Sequence, residues 1–217
     1  MESWGLVFIG GEAPERRVIE PLLEQNPRLV AADSGLDTML KMKLTPHILV
    51  GDLDSVSPEA LAAYPDLRIK HFPVDKDYTD TELALVEARN LGVRRIVLIG
   101  GGGGRLDHLL GIRSLFDRLD GPDRWYTARD EVVRIKNSFY ADCKAGRTIG
   151  FFPLAEPTRS RTTGLRWNLD GLVWGHGCAG VSNQTEGAFM VTLEEGALLM
   201  VRALADNDCA SPLDAGF

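Results

Sequence analysis

The sequence predicts an α/β protein: an N-terminal domain doubly wound about a mainly parallel sheet, followed by a C-terminal antiparallel β-sandwich domain. Three observations lead there. Up to about residue 120, short runs that are apolar throughout alternate with stretches of helical periodicity, the pattern of strands covered on both faces by helices. Near Gly121-Pro122-Asp123 the character changes, and only short β-rich pieces follow. The chain has 217 residues, 44% of them apolar, enough for two modest cores. The expected division is therefore 1–121 and 122–217.

Taken in order, Gly5 to Ile9 is the first strand, and a helix is expected after Pro14. Arg28 to Ala32 forms the next strand, followed by helical periodicity from Leu36 to Met42. His47 to Val50, Arg68 to Phe72 and Arg95 to Ile99 continue the series. In the second half, Trp125 to Ala128, Val132 to Lys136, Thr148 to Leu154, Leu165 to Leu169 and Gly171 to Trp174 read as strands. Ala188 to Ala203 reads as a hairpin turning at Glu194-Glu195-Gly196. The polar end, from Asp206 onward, is expected to fray.

Net charge is -7 and the basic residues are scattered, which argues against a nucleic-acid partner or an anionic membrane surface. Cys143, Cys178 and Cys209 form no CxxC pair and are odd in number, so they are expected as free thiols of a reducing compartment. No segment approaches the ~20 apolar residues of a membrane span, and the start lacks a basic leader, so the expectation is a soluble cytoplasmic protein.

In a doubly wound sheet, ligands bind beyond the carboxyl ends of the strands. Acidic motifs stand at those ends here: Asp33-Ser34-Gly35 after the second strand, Gly51-Asp52-Leu53-Asp54-Ser55 after the third, and Asp75-Lys76-Asp77-Tyr78-Thr79-Asp80 after the fourth. Asp52 and Asp54, two apart in extended backbone, point to one side and can share a cation. Their ordinary alternative is a turn residue and a cap for the helix after Pro58. Oxygen ligands without nearby His or Cys suit Mg2+, which shares phosphate oxygens with a substrate. Thr79 and Glu82 have capping-box spacing, placing Asp80 on the first helical turn, where a structural role would serve as well. Lys76 is a candidate phosphate contact.

The five glycines 100–104 lie between a strand and a helix, where amides including that of Gly102 can approach phosphate. The run is neither a Walker A loop nor a GxGxxG fingerprint. Arg105 closes it with a guanidinium suited to phosphate, and Asp107 and His108 follow on the first helical turn. Together these features point to a Mg2+-dependent enzyme acting on a phosphate-rich nucleotide.

AADSG, GDLDS, DKDYTDTELAL, GGRLDH, TTGLRWNL and GVSN occur in the order and spacing of the thiamine pyrophosphokinase family, and the resemblance spans roughly residues 5 to 202. It implies a catalytic α/β domain, a thiamine-binding sandwich, a homodimer with the thiamine site at the subunit interface, and transfer of pyrophosphate from ATP to thiamine. It implies Asp52, Asp54 and Asp80 as Mg2+ ligands. Asp33, Ser34, Lys76, Asp77, Thr79, Gly102, Arg105, Asp107 and His108 are implied as nucleotide or active-site contacts. Ser182 and Asn183 are implied at the aminopyrimidine, with Trp167 near that pocket or in the sandwich core. Many relatives carry glycine where Ser34 stands. Asp80 or Asp107 is the candidate for accepting the alcohol proton. The competing readings are a pyrophosphokinase for another alcohol such as a hydroxymethylpterin, a nucleotide-binding module without catalysis, and a metal-dependent phosphatase.

Overall fold

The computed structural model describes residues 3–154, 156–174, 179–204 and 209–211. The chain divides into two compact units, 1–128 and 129–217.

The first unit is built on a parallel sheet. Its strands are β1 (Trp4–Phe8), β2 (Arg28–Ala32), β3 (Ile48–Gly51), β4 (Ile69–His71), β5 (Arg95–Ile99) and β6 (Arg124–Tyr126), ordered β6-β5-β1-β2-β3-β4. Consecutive residues Leu6, Val7 and Phe8 are all fully buried, as are Ile96 to Ile99, so both faces of the central strands are covered. This is why those runs lack polar alternation. β4 is the sheet's edge, and all three of its residues are exposed. The strand Arg124–Tyr126, read from sequence as part of the second half, pairs in parallel with β5 and closes the first unit at residue 128.

The helices of this unit are α1 (Arg16–Leu23), α2 (Gly35–Lys41), α3 (Pro58–Ala63), α4 (Asp80–Asn90) and α5 (Leu106–Leu115). Ser57 caps α3, accepting the Ala60 amide at 3.1 Å, so the cap considered for Asp54 belongs to Ser57. Helix α4 begins with a full capping box. The Thr79 hydroxyl accepts the Glu82 amide and the Glu82 carboxylate accepts the Thr79 amide, which satisfies two otherwise orphaned donors. From β1 the chain moves outward through β2, β3 and β4, then returns to the other side of β1 for β5 and β6. The order therefore reverses between β1 and β5, the switch point at which open α/β sheets hold ligands.

The second unit is antiparallel, with β7 (Asp130–Ile135), β8 (Ser138–Cys143), β9 (Thr148–Pro153), β10 (Arg159–Leu165), β11 (Asn183–Glu195), β12 (Leu198–Ala203) and β13 (Cys209–Ala210). One layer runs β7-β12-β9, and the other contains β10, β11, β8 and β13. The 13-residue β11 bonds to β9 at Asn183-Gln184 and to β10 and β8 further along, so it joins the layers. Val133, Ile135, Phe151 and Met200 meet Phe139, Phe189 and Val191 in one shared core. The hairpin turn falls at Gly196, as expected, with φ of 81°.

Residues 166–174 form no strand. Leu169 and Trp174 are buried from irregular backbone, which imitated the alternation of two strands. β8 carries a true alternation, with Phe139, Ala141 and Cys143 inward, that the sequence reading passed over. Cys143 and Cys209 stand opposite each other on β8 and β13 and are disulfide-bonded, which corrects the expectation of free thiols for this pair. Cys178 lies outside the described residues, as does most of the polar C-terminal stretch.

Candidate functional site

Three strand-end segments of the first unit bring acids to one point. Asp33 follows β2, Asp52 follows β3 and Asp80 opens α4, and their carboxylate oxygens lie within 4.8 Å of one another. The backbone is bent to achieve this. Asp33 sits in the left-handed region at φ 49°, a conformation Asp tolerates better than most residues, and its N–H donates to Val50 O at 2.9 Å. Ser34 next to it is ordinary helical backbone at φ -61°, so serine stands there without strain. Gly51 has φ 146°, and a Cβ there would lie 3.1 Å from Asp80 Oδ1. A side chain at position 51 would press on the Asp80 carboxylate from backbone that L residues rarely adopt.

Like charges this near raise one another's pKa. Asp33 is raised, chiefly by burial, with Asp80 and Asp52 adding to it against a hydrogen bond from Ser55. Asp52 is lowered, first by the hydrogen bond from Lys76, whose Nζ stands 2.7 Å from its Oδ2. The same ammonium is 3.2 Å from Asp80 Oδ1, at ion-pair distance but without hydrogen-bond geometry.

The donor set fits a hard divalent cation. All three candidate ligands are carboxylates, and Asp33 Oδ1 and Asp80 Oδ1 are buried oxygens with no hydrogen-bond partner. Of the three acids expected as ligands, Asp52 and Asp80 belong to the trio. Asp54 does not: it is exposed, its N–H donates to Asp52 Oδ1 at 3.3 Å, and its pKa is raised first by the charge of Asp52. Asp33, expected as a nucleotide contact, takes the third place.

The glycine run is tied down more than its composition suggests. Gly100 N–H donates to Tyr126 O, Gly101 N–H to Gly10 O at 2.7 Å, and Gly102 N–H to Glu12 O at 3.1 Å. The anion-cradle reading therefore narrows to Gly103 and Gly104. Around this loop, at the β1/β5 switch point, a crevice of about 770 Å³ opens between residues 11–16, the end of α2 and residues 102–104. Its basic lining residues, Arg16, Lys41 and Lys43, were not singled out by sequence. The signal available was Gly10-Gly11 directly after the first strand, the counterpart of the run after the fifth.

Arg105 and Asp107 pair with each other through two hydrogen bonds, 3.1 and 2.6 Å, on the exposed start of α5. That pairing lowers the Asp107 pKa. His108 and Asp77 are exposed, and the Thr79 hydroxyl is engaged in its cap.

In the second unit, Trp167 is 51% exposed with the Arg166 guanidinium 4.7 Å over its ring, so it is no core residue. Ser182 is exposed at φ 58°. Asn183 is 2% exposed: its Nδ2 donates to Trp167 O at 2.6 Å, and its Oδ1 accepts from the amides of Trp167 and Gln184.

Known proteins share this fold. Residues 19–120 match the thiamin pyrophosphokinase catalytic domain, and residues 133–198 match the thiamin pyrophosphokinase vitamin B1 binding domain. Thiamine pyrophosphokinase 1 of Oryza sativa subsp. japonica is 27% identical over 188 residues, 72% of this chain and 71% of that protein. The crystal structure of thiamin pyrophosphokinase from Geobacillus thermodenitrificans has a TM-score of 0.74 at 26% identity, covering 95% of this chain and 100% of that one. The Bacillus subtilis enzyme has a TM-score of 0.77 at 23% identity, over 93% and 99%, and shows the same fold. With both halves matched in chain order, the chain belongs to the thiamin pyrophosphokinase family.

Proposed function

We propose that this protein transfers the pyrophosphoryl group of ATP to the hydroxyl of thiamine, yielding thiamine diphosphate and AMP. The observation that carries the reading is the meeting of Asp33, Asp52 and Asp80 at one point on the strand-end rim of a family catalytic domain. Such transfer asks a protein mainly to align the attacking oxygen with phosphorus and to neutralise growing charge.

Asp33, Asp52 and Asp80 would hold Mg2+, which, when bound, supplies charge neutralisation at the phosphate oxygens. The crevice at the switch point, within the size range of small-ligand sites, would take the nucleotide; its lining includes Arg16, Lys41 and Lys43 together with Glu12 and Glu15. Gly103 and Gly104 would present amides to phosphate. Asp80 or Asp107 would accept the alcohol proton; the hydrogen bonds from Arg105 hold the Asp107 carboxyl below its ordinary range. Ser182 and the face of Trp167 would receive the aminopyrimidine, with Asn183 fixing the Trp167 backbone rather than touching the ring. The family resemblance supports a homodimer that completes the thiamine site. Among the described residues no helix is long and apolar enough to cross a membrane.

The test is AMP formation from ATP and Mg2+ with and without thiamine. AMP that appears only with thiamine supports the proposal. Phosphate release without thiamine, transfer to a hydroxymethylpterin instead, or ATP binding without AMP would overturn it.

A further inference from the structure

The ammonium of Lys76 lies against two of the three carboxylates of the candidate metal site. Its Nζ is 2.7 Å from Asp52 Oδ2 and 3.2 Å from Asp80 Oδ1, and the Lys76 and Asp52 side chains are only 11% and 9% exposed. Three carboxylates and one ammonium leave a net charge of two negatives, the charge one divalent ion neutralises. Yet the two cations cannot use the same lone pairs. Mg2+ requires oxygens at ~2.0 to 2.1 Å in near-octahedral arrangement, which excludes an ammonium from the same edge. Lysine is suited to yielding, since its charge sits on a flexible four-carbon stem and makes no fixed bidentate fork. Lys76 also lies in the loop between β4 and α4, four residues before Asp80.

We infer that Lys76 is a built-in counter-ion that closes the acidic rim while no metal is present and gives up its place when metal arrives with phosphate. Bare metal must displace the ammonium from a buried pair and leave it without a partner. Metal that brings a nucleotide supplies phosphate oxygens to which the displaced ammonium turns. Lys76 thereby makes metal and nucleotide binding cooperative, so that the site discriminates against free Mg2+ in favour of the metal–nucleotide complex. The inference rests on the proposed metal site.

The test measures binding of Mn2+ alone to the full chain, by calorimetry and by the Mn2+ spin-resonance signal, and repeats it with ADP present. Lys76→Met should bind Mn2+ alone about fivefold or more tightly than wild type, the lower end of ordinary coupling, and should lose most of the gain that ADP gives. Lys76→Arg, which keeps the charge, should stay close to wild type. In EDTA, Lys76→Met should melt below wild type, and Mn2+ should restore it. Unchanged or weaker Mn2+ binding by a folded Lys76→Met overturns the inference. Asp52→Asn separates the two readings: if it too leaves Mn2+ affinity unchanged, the trio is not the metal site and both fall.

Discussion

Asn183 grips the backbone of Trp167 from both sides, donating to its carbonyl at 2.6 Å and accepting from its amide at 3.3 Å. A buried amide so employed acts through what it holds. Asn183→Ala should cost about 1 to 3 kcal/mol in urea denaturation, the usual penalty for leaving buried polar groups unpaired. In steady-state kinetics the KM for thiamine should rise more than kcat falls. A loss confined to kcat would show that the amide touches the reacting groups.

The acids should rank by position. Asp52→Asn and Asp80→Asn should lower AMP formation by about 10² to 10³, the scale of losing one preorganised charge-stabilising group. Asp54→Asn, exposed beside the trio, should lose about tenfold. Equal losses at Asp52 and Asp54 would place both on the ion.

Gly51 keeps the acids in contact range. Gly51→Ala puts a methyl group 3.1 Å from Asp80 Oδ1 on backbone at φ 146°. Stability should drop by about 1 to 3 kcal/mol, as for other forced residues in that region. Mn2+ affinity should fall with it, measured on the folded fraction.

His47 predicts an acid-side dependence of stability. Its pKa lies below the ordinary 6.5, first because the ring is partly shielded from water although the residue is exposed, and then because of Arg28, and its Nδ1 accepts the Leu29 amide at 3.0 Å. The unfolded chain therefore binds more protons than the folded one below pH 6.5, so stability falls as pH drops through that window. His47→Asn keeps an acceptor but cannot protonate, and should flatten this part of the profile in denaturation measured at successive pH values.

Thiol titration checks the pairing of Cys143 with Cys209. In denaturant without reductant, one thiol per chain should react, and three after reduction. Three in both cases would restore the free-thiol expectation.

How far sequence carried the reading depends on what each element needs. The central strands were legible because burial on both faces leaves runs such as Leu6-Val7-Phe8 uniformly apolar. The start of α4 was legible because Thr79 and Glu82 have a local spacing with a local consequence. The identity of the third acid was not, since it turns on the left-handed backbone at Asp33 and on the side Asp54 faces after the bend at Leu53, φ 69°. Which amides of the glycine run are taken was hidden for a related reason: those of Gly100, Gly101 and Gly102 pair with Tyr126, Gly10 and Glu12, partners remote in the chain. The disulfide likewise required knowing that β13 lies beside β8.

The long strand β11 carries a consequence for how the second unit comes apart. One backbone contributes hydrogen bonds to β9 at its start and to β10 and β8 along its length, so neither layer can open without loosening the same stretch of chain. In native-state deuterium exchange, the amides of both layers should therefore share a common opening event instead of unzipping separately.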